Sequence, residues 1–177
     1  MIKLVIGVII LIVAGVAWLR MQWAIDKNKR AAGKIVDGLK NGTYSVESFE
    51  ESLNMQIRTR PLPAGVNMNS IQQSVAALAN TKLKNKFKVL HGEINDNNKG
   101  VVIAEGTVKD ILPASNKEVE VIYPCWLYIE MEPTRNEVYF KSSMPDGKDH
   151  HHLLEDISDA IHEQCINNLV CPPAINF

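Results

Sequence analysis

The chain has 177 residues, with 19 Lys and Arg against 20 Asp and Glu and a formal net charge of −1. Apolar residues make up 46% of it and only three cysteines are present, which excludes wholesale disorder and a disulfide-stabilised mini-protein. A charge this close to zero argues against a general nucleic-acid binder, which needs a strongly basic surface. The length suits one domain with an attached segment.

The chain starts with an apolar segment. Residues 4–19 (LVIGVIILIVAGVAWL) contain no charged side chain and are flanked by Lys3 and Arg20. A helix needs roughly 20 apolar residues to cross about 30 Å of hydrocarbon, and basic side chains at its ends can reach the headgroups. Trp18 and Trp23 are residues that favour the headgroup level. The pattern predicts a single-pass transmembrane anchor over residues 1–23.

A cleaved signal peptide is the main alternative, because one basic residue before an apolar run is typical of such peptides. The best small-residue cleavage site is Gly15-Val16-Ala17, and bulky Trp18-Leu19 follows it. The sequence therefore favours an uncleaved anchor, with the lipid bilayer as its partner.

The orientation of the anchor follows from two opposing signals. Residues 20–40 carry six basic and two acidic side chains, and the positive-inside rule would keep this side in the cytoplasm. A short basic start before an apolar run is instead typical of an exported bacterial chain. We expect a bacterial inner-membrane protein with its soluble domain in the periplasm, and the cytoplasmic orientation stays open.

Residues 24–42 are predicted to form an amphipathic stalk helix. Apolar residues recur there at helical spacing, and Asn41-Gly42 is a helix stop. The apolar stripe consists of Ile25, Ala32, Ile35, Val36 and Leu39. Two interpretations stay open: the stripe packs on its own domain, or it pairs with a membrane helix of a partner.

Residues 43–177 are predicted to form one α+β soluble domain. Residues 45–51 are ambiguous between helix and strand, and alternation over 53–58 predicts a strand that ends before Pro61 and Pro63. Helices are expected over 69–81 and 150–169. Between them, four alternating segments with short turns predict a four-stranded antiparallel β-meander, over 82–89, 101–109, 118–131 and 137–141.

The apolar face of this meander needs a cover, which the two helices can supply on one side. Cystatin-like and NTF2-like domains share that outline. The similarity is an analogy of architecture and implies no function.

Four lysines, Lys82, Lys84, Lys86 and Lys88, alternate along the first segment of the meander. They would place four positive charges on one strand face, as a docking strip for an acidic partner or anionic headgroups. The alternative is a solvated face, or an edge strand that lysines protect from aggregation.

The cysteines and histidines give weaker indications. In an oxidising compartment Cys165 and Cys171 could form a disulfide, whereas Cys125 lies on the apolar face of a strand. His151, Glu155 and His162 share one helical face, but they match no known metal-ligand spacing, and acidic residues at a helix start explain the pattern better. We therefore expect no metal, cofactor or catalytic residue, and the common phosphate-binding, dinucleotide-binding, hydrolase and zinc-protease motifs are absent.

These features favour a non-catalytic accessory or assembly protein, whose small domain docks onto a membrane-protein partner or a second copy in an envelope complex. The alternative is a membrane-anchored domain that binds a lipid or another amphiphile. Its apolar pocket would be lined by one face of the longest predicted strand, with Val121, Tyr123, Leu127 and Ile129.

Overall fold

A computed structural model of the chain describes residues 2–53, 56–112 and 117–169. It is an α+β structure, with a long N-terminal apolar helix, a curled six-stranded antiparallel sheet that forms a half-barrel, and a C-terminal helix. The predicted membrane and stalk segments form one continuous helix, α1 (Ile2–Lys40). It ends at the predicted stop, where Gly42 takes a positive φ of 74° that favours glycine.

Three shorter helices follow along the chain: α2 (Val46–Ser52), α3 (Met68–Ala76) and α4 (Leu153–Cys165). The ambiguous segment after residue 45 is thus helical, because Ser45 and Ser48 form a reciprocal capping box. Asn67 caps α3 through its side-chain oxygen. The predicted helix over 150–169 is α4 with a 3₁₀ turn at each end, at His150–His152 and Asn167–Leu169.

The sheet contains six strands, two more than the predicted four-stranded meander. They are β1 (Gln56–Pro61), β2 (Lys82–Leu83), β3 (Phe87–Ile94), β4 (Lys99–Leu112), β5 (Lys117–Glu132) and β6 (Glu137–Ser143). Their order is β1-β6-β5-β4-β3-β2. Strands β3 to β6 form the predicted meander, while β1 and β2 extend it at opposite edges.

The prediction of one strand over 82–89 is wrong, because a tight turn divides it. Lys84 and Asn85 both have positive φ, 46° and 54°, and the amide of Lys86 donates to the Leu83 carbonyl at 3.0 Å. Two such residues in succession give the β-turn a twist that matches the twist of the flanking strands. Asn85 tolerates this conformation, but Lys-Asn is a weaker signal than Asn-Gly, so the alternation of lysines concealed the turn.

Helices cover both faces of the sheet, which corrects the expectation of a cover on one face. On one face α3 and α4 pack with the strands in the larger core, which includes Ile71, Val75, Leu153, Ile157 and Ile161. On the other face α1 and α2 pack on the middle strands in a second core, which includes Val36, Phe49, Val101, Ile103 and Tyr128. The stalk stripe thus packs on its own domain.

Two glycines allow helices of the larger core to approach the sheet closely. A Cβ at Gly92 would lie 2.6 Å from the carbonyl oxygen of Val75 in α3. A Cβ at Gly106 would lie 3.1 Å from the side chain of Leu153, at the start of α4. These contacts fix the two helices over strands β3 and β4.

Candidate functional site

The four lysines of the predicted docking strip do not share one surface role. Lys84 lies in the β2–β3 turn, and its ammonium is 2.6 Å from Glu163 of α4. Lys86 forms an ion pair with Asp156 of the same helix. Lys82 and Lys88 are exposed and lie opposite each other in the β2–β3 pair.

The acidic side of α4 is held by cations from both edges of the sheet. From the β1 edge, Arg58 contacts Glu155 at 2.7 Å. From the same edge, Arg60 donates to Asp159 through Nε at 2.9 Å and Nη2 at 2.5 Å. Together with the two lysine pairs, these contacts neutralise the acidic side of α4 within the molecule. The hydrogen bond to Glu163 also raises the pKa of Lys84.

The predicted apolar pocket is part of a packed core over much of its length. Leu127 and Ile129 are fully buried between the sheet and its helices. Tyr123 packs at the edge of this core and its ring stacks on His150, with ring centroids 4.6 Å apart. Val121 is partly exposed. Leu127 and Ile129 therefore pack among the other residues of the larger core.

A different cavity, of about 260 Å³, lies on the opposite face of the sheet. Its walls come from α1, α2, β5 and the loop before α2, and consist of Ile35, Tyr44, Ser48, Phe49 and Trp126. The buried Nε1 of Trp126 has no hydrogen-bond partner among the described residues. Because this nitrogen is also out of contact with solvent, it offers no donor to a molecule in the cavity.

Both described cysteines are buried thiols. Cys125 and Cys165 have no exposed surface. Burial raises the pKa of the Cys125 thiol to about 12 and also raises the pKa of Cys165. Cys171, the predicted disulfide partner of Cys165, lies outside the described residues, so this disulfide stays a prediction.

The histidine stripe is divided among separate contacts. His162 is buried, and its Nε2 donates to the carbonyl of Pro61 at 2.7 Å. Glu155 is paired with Arg58, and His151 lies in the turn before α4 with a φ of 54°. In the part of the chain that the structure describes, no three His, Cys, Asp or Glu side chains are grouped to hold a metal ion.

Most of the large apolar side chains that are exposed in the described chain lie in the N-terminal half of α1. Ile10, Leu11 and Leu19 are exposed by 60%, 73% and 62%. Among the described residues, α1 is the one helix long and apolar enough to cross a membrane or to act as a signal sequence. This exposed helix could insert into a bilayer.

The C-terminal half of α1 has two opposite faces. Ile25, Ala32, Val36 and Leu39 are buried on one of them. With an advance of about 100° per residue, Arg20, Trp23, Lys27, Arg30 and Lys34 fall on the other. We call this second set the basic face of α1. The net positive charge of residues 20–40 does not by itself assign these residues to a face, but their helical spacing in the sequence does.

The basic face forms a shallow groove next to the apolar half of the helix. The groove is lined by Trp23, Lys27, Arg30 and Lys34, with Asp26 and Ala31 at its sides. The Lys27 ammonium lies 5.5 Å from the ring centroid of Trp23, which is 68% exposed. A cation over an indole ring is a favourable contact, and here it holds the Lys27 side chain against the Trp23 ring.

No protein family, curated protein or solved structure significantly matches this chain.

Proposed function

We propose that the protein is a non-catalytic, single-pass inner-membrane protein whose α+β domain docks onto partner proteins of a bacterial envelope complex. The observation that carries the proposal is the dual nature of α1. Its N-terminal half is exposed and apolar, and its C-terminal half belongs to the second core of the domain. A single helix therefore joins the domain to the bilayer without a flexible linker.

Such a joint suits a protein that holds a docking domain at a defined height above the membrane. Ala32, Val36 and Leu39 of α1 belong to the same buried core as Val101 and Tyr128 of the sheet. Burial of each of the larger side chains, Val36 and Leu39, contributes roughly 1.5–3 kcal/mol to the stability of the fold. The domain would therefore follow the tilt and rotation of its anchor.

Within the docking hypothesis, Lys82 and Lys88 are the lysines of the predicted strip that still face solvent without an acidic partner in α4. They lie at the short β2 edge of the sheet, where lysines also protect against edge-to-edge pairing. An acidic surface on a partner would contact these two residues first.

The docking proposal is tested by the size of the particle that contains the full-length protein. Membranes are solubilised in a mild detergent, and the protein is followed through size-exclusion chromatography with light scattering. We expect a particle much larger than the 19.8 kDa chain with its detergent belt. The Lys82→Gln/Lys88→Gln variant should shift toward the monomer, and Lys109→Gln, which neutralises another exposed lysine, should not. A monomer for the unmodified chain would contradict the proposal.

The anchor and its orientation need a separate test. The described native thiols are buried, so Asn97→Cys in the exposed β3–β4 turn provides the reporter, with Cys171 replaced by Ser. We expect a membrane-impermeant maleimide to label the protein in intact cells, as it should if the domain lies in the periplasm. Labelling only after permeabilisation would reverse the orientation, and an intact mass that lacks the first residues would identify a cleaved signal peptide.

A further inference from the structure

The basic face of α1 points directly away from the domain. The residues that α1 buries, centred on Ala32 and Val36, lie on the opposite side of the helix. Packing on the domain therefore leaves the basic face open to its surroundings. Trp23, which is 68% exposed, lies among these charges.

The direction of helical side chains aims this face at the membrane. Cα–Cβ bonds tilt toward the N-terminus of a helix, and the N-terminus of α1 is its apolar half. Lys27 and Arg30 lie about 10 and 15 Å beyond Arg20 along the axis. Their long side chains therefore extend back toward the end of the apolar segment, and a helix tilt of about 20° brings them closer still.

Charge separates the helix from the rest of the molecule. Residues 20–40 carry six basic and two acidic side chains, whereas residues 41–177 carry 12 basic and 18 acidic ones. An anionic surface would attract the first set and repel the second. Trp23, at the membrane-proximal end, has the amphipathic ring that favours the headgroup level.

We propose that the basic face of α1 binds the headgroups of anionic phospholipids at the bilayer surface, with Arg20, Lys27 and Arg30 as the main cationic contacts. This inference rests on the proposed membrane anchoring. The bound phosphodiesters fix the rotation of α1 about its axis, and through the second core they fix the face that the domain presents.

Native mass spectrometry of the full-length protein in a mild detergent tests this inference. Phosphatidylglycerol and phosphatidylcholine are added separately, and the fraction of protein that retains lipid is measured. We expect the protein to retain phosphatidylglycerol in preference to phosphatidylcholine. Each basic residue near such a surface changes affinity by roughly fivefold, so Lys27→Gln/Arg30→Gln should weaken phosphatidylglycerol retention by at least about tenfold.

Two further variants control for charge alone. Lys29→Gln/Lys40→Gln removes two exposed charges from the same helix but off the basic face, and should retain the preference. Asp26→Asn removes the carboxylate beside the groove and should strengthen phosphatidylglycerol binding. Equal retention of the two lipids by the unmodified protein, or equal losses in both double variants, would overturn the inference.

Membrane anchoring is measured separately by extraction with alkaline carbonate. A protein that stays in the pellet but shows no lipid preference disproves only the headgroup site. A protein released by carbonate disproves the anchor itself. Loss of a co-purifying protein in Lys27→Gln/Arg30→Gln, with lipid preference unchanged, would assign the basic face to an acidic partner and overturn the lipid site.

Discussion

Gly38 allows the Tyr44 ring to lie directly on the last turn of α1. The amide of Tyr44 donates to the Gly38 carbonyl at 3.0 Å, and a Cβ at Gly38 would overlap the ring. We expect Gly38→Ala to displace Tyr44 and to lower the free energy of unfolding by up to about 2 kcal/mol, because an overpacking cost of about 1–3 kcal/mol exceeds the gain of up to about 1 kcal/mol in helix propensity. Urea unfolding of the full chain measures this.

Gly33 provides the matched control, since it lies in the same helix and a Cβ there meets nothing within 4 Å. Gly33→Ala should raise the free energy of unfolding by up to about 1 kcal/mol through helix propensity alone. If both substitutions stabilise the protein, the Tyr44 ring does not pack on Gly38.

The buried thiols predict slow chemistry and a pH dependence. With Cys171 replaced by Ser, neither Cys125 nor Cys165 should react with a disulfide reagent at pH 8 until the protein is unfolded in urea.

Unfolded Cys125 loses its proton near its ordinary pKa of 9.0, whereas in the folded protein the pKa is about 12. The folded state thus binds more protons above pH 9, and its stability should fall as pH rises.

The comparison for the pH effect is Cys125→Ala, which should show a shallower loss of stability between about pH 9 and 12. The unfolding free energy is measured at several pH values for both proteins. Rapid labelling of the folded protein at pH 8 would mean that Cys125 or Cys165 is accessible.

At the scale of elements, two substitutions in the β2–β3 turn should change the free energy of unfolding in opposite directions. Asn85 sits in the left-handed region with a φ of 54°. Asn85→Gly should raise the unfolding free energy by up to about 1 kcal/mol, because glycine adopts this conformation without strain. Asn85→Val should lower it by about 1–2 kcal/mol, the cost of a left-handed β-branched residue. Equal effects would show that the turn has another geometry.

Local signals in the sequence predicted some elements well and others poorly. The stop at Asn41-Gly42 and the long alternation in β5 depend on neighbouring residues, and the structure confirms both. The pairing of β1 with β6 joins residues about 80 positions apart, which no local pattern contains. β2 has two residues, too few for any period to be detected.

In the candidate site too, features that depend on neighbouring residues could be predicted from the sequence, and features that depend on long-range contacts could not. The lysines at 82 and 84 look equivalent in the sequence, yet the turn directs Lys84 toward Glu163 and leaves Lys82 exposed. The basic face of α1 needed only helical spacing to be recognised. That the basic face points away from the domain follows only from the structure, which shows which face of α1 the domain buries.

At the scale of the whole molecule, α1 is both anchor and structural part of the domain, and two truncations separate these roles. Residues 20–177 keep every α1 residue of the second core, and we expect a folded domain with a cooperative thermal transition. Residues 41–177 lack Ala32, Val36 and Leu39, so that only α2 still packs over Val101 and Tyr128 in the second core.

The shorter truncation should lose several kcal/mol of stability, at roughly 1.5–3 kcal/mol for each larger apolar side chain removed from the core. It should also bind a hydrophobic dye such as ANS, because the part of the sheet that α1 covers would be exposed. Circular dichroism melting and dye fluorescence of the two truncations measure both effects. If residues 41–177 melt at the same temperature as residues 20–177, the domain does not need the stalk for its stability. That result would also contradict the proposal that α1 joins the domain rigidly to the membrane.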